Sequence, residues 1–136
     1  MVNAMLFRIH QSGHMGLLET DSRALVAEGI RCYKNMRGDI ASALPFWPLG
    51  LAQSSSEWVS VGLKIPHKAY VAVWRINSTN DCCMMPISHL KGIAANVRCI
   101  YPSENENCDF RWDKDSGTLS VCLRQNKMAR MFELDY

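Results

Sequence analysis

The sequence lacks both a long hydrophobic run and a concentration of charge. Its longest unbroken apolar run is Ala69–Trp74, far short of the roughly 20 residues that a membrane-spanning helix needs. The 15 lysines and arginines are scattered and the net charge is +2, which disfavours nucleic-acid binding. Segment 1–14 has no basic start and no convincing cleavage site, so we expect no secretory signal and a cytoplasmic protein.

The sequence also lacks the spacings by which cysteine and histidine hold a metal. No C-x-x-C pair and no H-x-x-x-C spacing is present. His10 and His14 are four residues apart, but the predicted loop at Gly13 lies between them and does not place them on one face of a helix, so we expect no metal site and no cofactor. Cys82 and Cys83 are adjacent, which does not suit a simple disulfide. Reduced cysteines that fill the core are therefore expected. The six are Cys32, Cys82, Cys83, Cys99, Cys108 and Cys122.

The chain does have two different hydrophobic periods. Residues 2–10 form an apolar run that predicts a buried strand, ended by a loop at Gly13. Apolar residues then recur at three- and four-residue steps, which predicts an amphipathic helix over Asp21–Leu44. Pro45 ends it, because proline disfavours helical geometry in the preceding residue.

From residue 58 onward the period is two, and turn signals separate short strands. Evenly spaced strands without intervening helices indicate a mainly β fold, an antiparallel, Greek-key-like β-sandwich of about seven or eight strands. The candidates are Trp58–Ile65, Lys68–Ile76, Cys82–Ile87, Ala95–Tyr101, Cys108–Asp113, Thr118–Leu123 and Met128–Leu134.

The segment between helix and strands carries a motif. It runs Leu25-Val26-x-Glu28-Gly29-Ile30-x-x-Tyr33-Lys34-x-x-Arg37-x-Asp39-Ile40 and continues as Leu44-Pro45-Phe46-Trp47-Pro48-Leu49-Gly50-Leu51. This motif closely resembles the C-terminal region of bacterial α-galactosidases of glycoside hydrolase family thirty-six. Trp58–Leu63 and Tyr70–Arg75 resemble the first strands of that family's C-terminal sandwich, and Gly117–Leu119 and Ala129–Leu134 its closing strands.

The resemblance implies two parts. Residues 1–51 would be the joint with the last strand (2–12) and last helix (Asp21–Leu44) of a (β/α)8 barrel, and 52–136 would be the C-terminal β-sandwich. The parent enzymes hydrolyse terminal α-galactosides such as raffinose or melibiose with retention, using two carboxyl groups about 5 Å apart. Both aspartates lie on earlier barrel strands, so no catalytic residue is expected here and the chain alone is expected to be inactive.

The expected role is structural. Phe46, Trp47 and Leu49 would pack the sandwich against an upstream catalytic barrel, the expected partner, which binds galactoside oligosaccharides. Without that barrel, the apolar run at residues 2–10 and the helix face would be exposed, which favours self-association or repacking onto the sandwich.

Arg111-Trp112-Asp113-Lys114 resembles the Lys-Trp-Asp-x-Asn signature of the family's nucleophile. Arginine replaces the lysine, and Asp115 stands where the asparagine belongs. The segment also precedes a turn glycine of a hairpin, whereas a barrel nucleophile follows a buried parallel strand. We therefore reject Asp113 as a nucleophile.

Three other readings stay open. Ser12 and His14 lie where the loop after the last barrel strand would be, and such loops line the sugar site of a barrel; alternatively they bond locally around Gly13. The chain is alternatively a free-standing carbohydrate-binding or oligomerisation module using Trp58 or Trp112. A zinc- or redox-active protein is a third possibility.

Overall fold

In a computed structural model, residues 1–10, 13–104 and 106–136 are described and form a mainly β structure. Two helices and eight strands occur in them. The helices are α1 (Val2–Met5) and α2 (Thr20–Ile40), and the strands are β1 (Leu44–Phe46), β2 (Trp58–Ile65), β3 (Lys68–Arg75), β4 (Cys82–Pro86), β5 (Asn96–Tyr101), β6 (Cys108–Asp113), β7 (Thr118–Leu123) and β8 (Met128–Asp135).

The strands form two antiparallel sheets. Sheet A has the order β1-β2-β3-β8-β5, and sheet B has the order β4-β7-β6. The main core lies between them, with Val71, Val73 and Phe132 from sheet A and Leu119 and Val121 from sheet B. The antiparallel β-sandwich expected from the period of two is confirmed, and each of its seven predicted strands is present within about two residues.

The outer face of sheet A is covered by the helices, which makes a third layer. Tyr70 and Met131 of this face pack in a second core cluster with Met5 and Met36 from α1 and the end of α2. Because successive residues of β3 point to opposite faces, β3 contributes to both clusters. This explains its nearly unbroken apolar sequence.

The predicted N-terminal strand is wrong. Val2–Met5 is helical, residues 6–10 are in no strand, and Val2, Met5 and Leu6 are buried. A short apolar run does not distinguish a strand from a buried helix, and packing decides. The remainder of that predicted strand, Gln11 and Ser12, lies outside the described residues. The apolar run thus packs onto the sandwich, one of the two outcomes expected for it.

The predicted helix end is also too late. α2 ends at Ile40, and Leu44–Phe46 instead forms β1, which pairs with β2 at the edge of sheet A. Pro45 is compatible with this because an edge strand does not need every amide for pairing. Gly62 on β2 lies under the Phe46 ring, where an added Cβ would be 2.1 Å from Phe46 Cζ.

The expectation that all six cysteines are reduced is wrong. Cys82 and Cys122 form a disulfide, because the antiparallel register of β4 and β7 places them opposite each other. The adjacent Cys83 does not interfere, since it points to the other face of β4. Cys32, Cys83, Cys99 and Cys108 are free thiols.

Candidate functional site

A cleft of about 600 Å³ lies between α2 and the outer face of sheet A. We call it the helix–sheet cleft. Glu28 and Asn35 line it from the helix, and Lys68, Arg98 and Glu133 line it from β3, β5 and β8. Both signs of charge are therefore present in one concave surface.

Contacts with β5 and with the loop after it hold α2 in place beside the cleft. Gly29 faces the Tyr101 ring, and a Cβ added to it would lie 3.2 Å from Tyr101 Cε2. The Tyr101 hydroxyl donates to the Leu25 carbonyl at 3.2 Å, and the Ser103 amide donates to Glu28 Oε1 at 2.6 Å. The glycine of the sequence motif thus permits close approach of the helix to the sheet.

Two cations and three carboxylates form a network at one end of the cleft. Lys68 Nζ lies 3.5 Å from Glu133, 3.8 Å from Asp135 and 4.0 Å from Asp39. Arg98 forms an ion pair with Glu133 and contacts Asp135 at 3.2 Å. The charges of β3, β5, β8 and α2 therefore compensate one another.

Tyr70 connects this network to the second core. The Tyr70 hydroxyl donates to Asp39 Oδ2 at 2.6 Å, and Tyr70 is 1% exposed. Burial raises the pKa of Tyr70 well above its usual value, and the hydrogen bond to Asp39 raises it further. Tyr70 therefore stays a hydrogen-bond donor at neutral pH.

This arrangement suits binding better than proton transfer. A retaining glycosidase needs one carboxyl group free to attack and one that keeps its proton. Asp39 and Glu133 instead share the Lys68 ammonium, and Glu133 also pairs with Arg98. The exposed side of the cleft offers Arg98, Asn35 and Glu28 as donors and acceptors for the hydroxyl or acidic groups of a ligand.

The two predicted sugar contacts do not meet this cleft. Ser12 lies outside the described residues. His14 is exposed, its carbonyl accepts the Leu17 amide at 2.9 Å in a short 3-10 turn, and it is not among the residues that line the cleft. Its assignment to a sugar pocket stays a prediction.

Asp113 lies at the end of β6, at the hairpin turn into β7. Its carboxylate accepts the Ser116 hydroxyl at 2.7 Å and the Asp115 amide at 3.0 Å. These hydrogen bonds lower the pKa of Asp113. The residue therefore has a local role in the turn, in agreement with its rejection as a nucleophile.

The two tryptophans considered for sugar binding pack against the main core. Trp58 Nε1 donates to the Asn80 carbonyl at 3.3 Å and Trp112 Nε1 donates to the Ile93 carbonyl at 3.1 Å. The Arg75 guanidinium lies 6.0 Å from the centre of the Trp58 ring. Neither indole N–H is left free for a ligand.

The apolar side chains of segment 44–51 divide into a packed group and an exposed group. Phe46 and Leu49 pack against this chain's own main core, and the Phe46 ring contacts His89 edge-on at 4.8 Å. Trp47 is 46% exposed. Leu44 and Leu51 are also exposed, and we call these three exposed side chains the joint residues. The interdomain role of Phe46, Trp47 and Leu49 remains a prediction. Of these three, Trp47 is the one whose surface is available for such a contact.

Within residues 1–10, 13–104 and 106–136, no three histidine, cysteine, aspartate or glutamate residues converge as a metal site requires. None of the helices in these ranges has the length and apolar character needed to cross a membrane.

Sequence reasoning missed the helix–sheet cleft, although one signal was present. Glu133 and Arg130 interrupt the buried apolar residues of β8, and charged residues are buried only when they are paired. A buried charge predicts a charged partner, but it does not say which residue that is. Arg98 and Lys68 on other strands and Asp39 on α2 come close to one another and to Glu133 only in the folded chain.

No protein-family model matches the chain, and no curated protein matches it. The resemblance described above therefore rests on the motif residues alone.

Proposed function

We propose that this chain is a C-terminal, non-catalytic portion of an α-galactosidase-like glycoside hydrolase, with a structural role in supporting a catalytic barrel. The parent reaction is the retaining hydrolysis of terminal α-galactosides such as raffinose or melibiose. The observation that carries the proposal is Trp47, a large apolar residue of the joint motif that is 46% exposed. Exposed apolar surface of this kind favours a contact with another body.

The backbone of the joint is suited to such a contact. Pro45 and Pro48 flank the exposed side chain of Trp47, and each fixes its own φ. Phe46 attaches the same segment to the sandwich through Gly62 and the main core. The Trp47 ring is therefore presented on a constrained backbone, which lowers the conformational entropy lost on docking.

The test is association in trans. A separately produced family barrel that lacks its own sandwich is titrated with this chain and followed by sedimentation velocity. We expect binding that Trp47→Ala weakens about tenfold or more, as removal of a central interface tryptophan does. Met84→Ala is the matched control, because Met84 is 69% exposed on sheet B. No binding by the unmodified chain, or equal loss in both variants, would overturn the proposal.

The same proposal requires that the chain alone not hydrolyse galactosides. An aryl α-galactoside is incubated with the purified chain, and the released phenol is measured. We expect no release above the buffer rate, because Asp39 and Glu133 are held by Lys68. A rate that follows the chain through purification and disappears in Glu133→Gln contradicts the proposal.

A second candidate is a carbohydrate-binding module, which the helix–sheet cleft favours. Its volume and its mixed polar lining fit one or two sugar rings. Titration with galactose and raffinose, followed by NMR, tests this. Saturable shifts at the cleft that Arg98→Ala removes and Arg124→Ala retains would support it, since Arg124, directly after β7, is a similarly exposed, ion-paired arginine outside the cleft. Loss only in Trp58→Ala or Trp112→Ala would place binding elsewhere.

For the compartment we propose the cytoplasm. Thiols are kept reduced there, so Cys82 and Cys122 would then be thiols in the cell and join only after exposure to an oxidant. Rapid acid quenching of intact cells followed by alkylation decides this. Alkylation of both residues supports the cytoplasm, whereas an intact Cys82–Cys122 bridge assigns the chain to an oxidising compartment.

A further inference from the structure

Two free cysteines lie together where the two sheets are joined by the chain. Cys99 is on β5 of sheet A, and Cys108 begins β6 of sheet B. Their thiols are within hydrogen-bonding reach of each other. Cys99 Sγ also lies 3.4 Å from the Pro102 carbonyl oxygen. A bond between the two sulfurs would cross from one sheet to the other.

The backbone is irregular at this point. The register between β5 and β8 shifts between Cys99 and Tyr101, as in a β-bulge. Bulges re-aim side chains and are common beside functional positions. Cys99 belongs to the residues that line the helix–sheet cleft, whereas Cys108 is 6% exposed and lies in the main core. The Cys99 side chain lies opposite Phe132 and packs against the main core, where Cys99 is the more exposed of the two cysteines.

A buried arginine adjoins the pair. Arg130 is 8% exposed, and its guanidinium donates to the carbonyls of Ala129 and Glu106. Its Nε has no partner in the described part of the chain, and none of the ion pairs found there includes Arg130. A buried charge is costly unless it is paired. The Cys108 sulfur is the group positioned to supply the negative charge.

The pKa directions agree with this geometry. The hydrogen bond from Cys99, with the nearby positive charge of Arg130, lowers the pKa of Cys108. The same hydrogen bond, with burial, raises the pKa of Cys99. Of the two thiols, Cys108 is therefore the one that loses its proton first, and Cys99 keeps its proton to higher pH.

Arg75 shows that a buried arginine in this fold need not adjoin a thiol. It is 6% exposed, donates to the carbonyls of Leu123 and Ser78, and its guanidinium lies over the Trp58 ring. The aromatic face compensates its charge in part. Arg130 instead has the Cys108 thiol within hydrogen-bonding reach.

We propose that Cys99 and Cys108 are a reactive dithiol that exchanges with a small-molecule disulfide and closes to a bridge between the two sheets. The Cys108 thiolate accepts the Cys99 proton as Cys99 sulfur attacks one sulfur of the oxidant, whose S–S bond breaks and releases a thiolate. That thiolate takes the proton from Cys108. Cys108 sulfur then attacks Cys99 Sγ and releases the second thiolate. Two protein thiols are oxidised, and one external disulfide is reduced to two thiols.

The test uses the whole chain and oxidised glutathione under native conditions. The reaction is quenched with acid, free thiols are alkylated, and the intact mass and a peptide map are recorded. We expect the four free thiols to fall to two, a mass loss of two hydrogens, and a linked pair of peptides containing Cys99 and Cys108. Alkylation of both residues, or a bridge to any other cysteine, would overturn the proposal.

Variants separate the roles of the two sulfurs. Cys108→Ala should stop at a glutathione adduct on Cys99, because the resolving sulfur is gone, and should form that adduct more slowly, because the group that accepts the Cys99 proton is gone too. Cys99→Ser should give neither adduct nor bridge. Cys32→Ser is the matched control and should close the bridge as the unmodified chain does. Far-UV circular dichroism establishes that each variant is folded. If a variant is unfolded, the peptide map of the unmodified chain still decides the proposal.

Discussion

At the scale of single residues, Tyr70 has three distinct roles. Its ring fills the second core, its face receives Lys68 Nζ at 5.8 Å from the ring centre, and its hydroxyl bonds Asp39. One side chain thereby connects β3 with the C-terminal end of α2. Removing only the hydroxyl isolates the polar part of this connection.

We expect Tyr70→Phe to lower the free energy of unfolding by about 1.5–3 kcal/mol, the usual effect of losing a buried hydrogen bond to a charged group. Tyr33→Phe is the control, because the Tyr33 hydroxyl makes an exposed bond to the Phe7 carbonyl and should matter less. Urea unfolding of both variants measures the difference. Equal losses would show that the Tyr70–Asp39 bond is no stronger than an exposed one.

Cys32 gives a second prediction at this scale. Burial, followed by the charges of Glu28 and Glu133, raises the pKa of Cys32 from 9.0 to about 11. The thiolate is the reactive form, so alkylation of folded Cys32 at pH 8 should be slow and should rise steeply between pH 9 and about 11. The same shift stabilises the fold fully below pH 9 and progressively less as pH rises toward 11. Peptide mapping after timed alkylation measures the profile, and fast alkylation at pH 8 contradicts it.

At the scale of elements, β1 shows why some parts of the fold follow from sequence and others do not. The seven longer strands were predictable because an alternating or continuous apolar pattern persists over the five to eight residues of each. β1 has only three residues and contains Pro45, so its pairing depends on the fit of Phe46 over Gly62. The short α1 and the Cys82–Cys122 bridge likewise depend on packing and register, which a local pattern does not contain.

Gly62→Ala tests the attachment of β1. The new Cβ would lie 2.1 Å from Phe46 Cζ, so the ring must move, and we expect a loss of about 1–3 kcal/mol of stability, typical of overpacking. Gly38→Ala is the control, and it should change the stability in the opposite direction. Its Cβ meets nothing within 4 Å inside α2, and alanine should stabilise the helix by about 0.5–1 kcal/mol. Thermal unfolding of both variants gives the comparison.

At the scale of the whole molecule, the three-layer arrangement changes which surface is expected to mediate self-association. Val2, Met5 and Leu6 are buried on sheet A, so within residues 2–10 only Phe7 remains as a large exposed apolar side chain. The joint residues Leu44, Trp47 and Leu51 do remain exposed. We therefore expect the contact between copies at the joint.

Sedimentation velocity over a range of micromolar concentrations tests this contact. We expect the unmodified chain to associate reversibly and Trp47→Ala to shift the transition to higher concentration by about tenfold. Met84→Ala should behave like the unmodified chain. Association that Trp47→Ala leaves unchanged would assign the contact to another surface.

The position of β3 has a consequence for measuring this protein. β3 pairs with β2 on one edge and β8 on the other, and it is covered by sheet B on one face and the helices on the other. Its amides are therefore expected to exchange with solvent deuterium only when the whole molecule opens, whereas those of edge strands exchange through smaller openings. The slowest amides of Ala69–Val73 would report the global free energy of unfolding without denaturant.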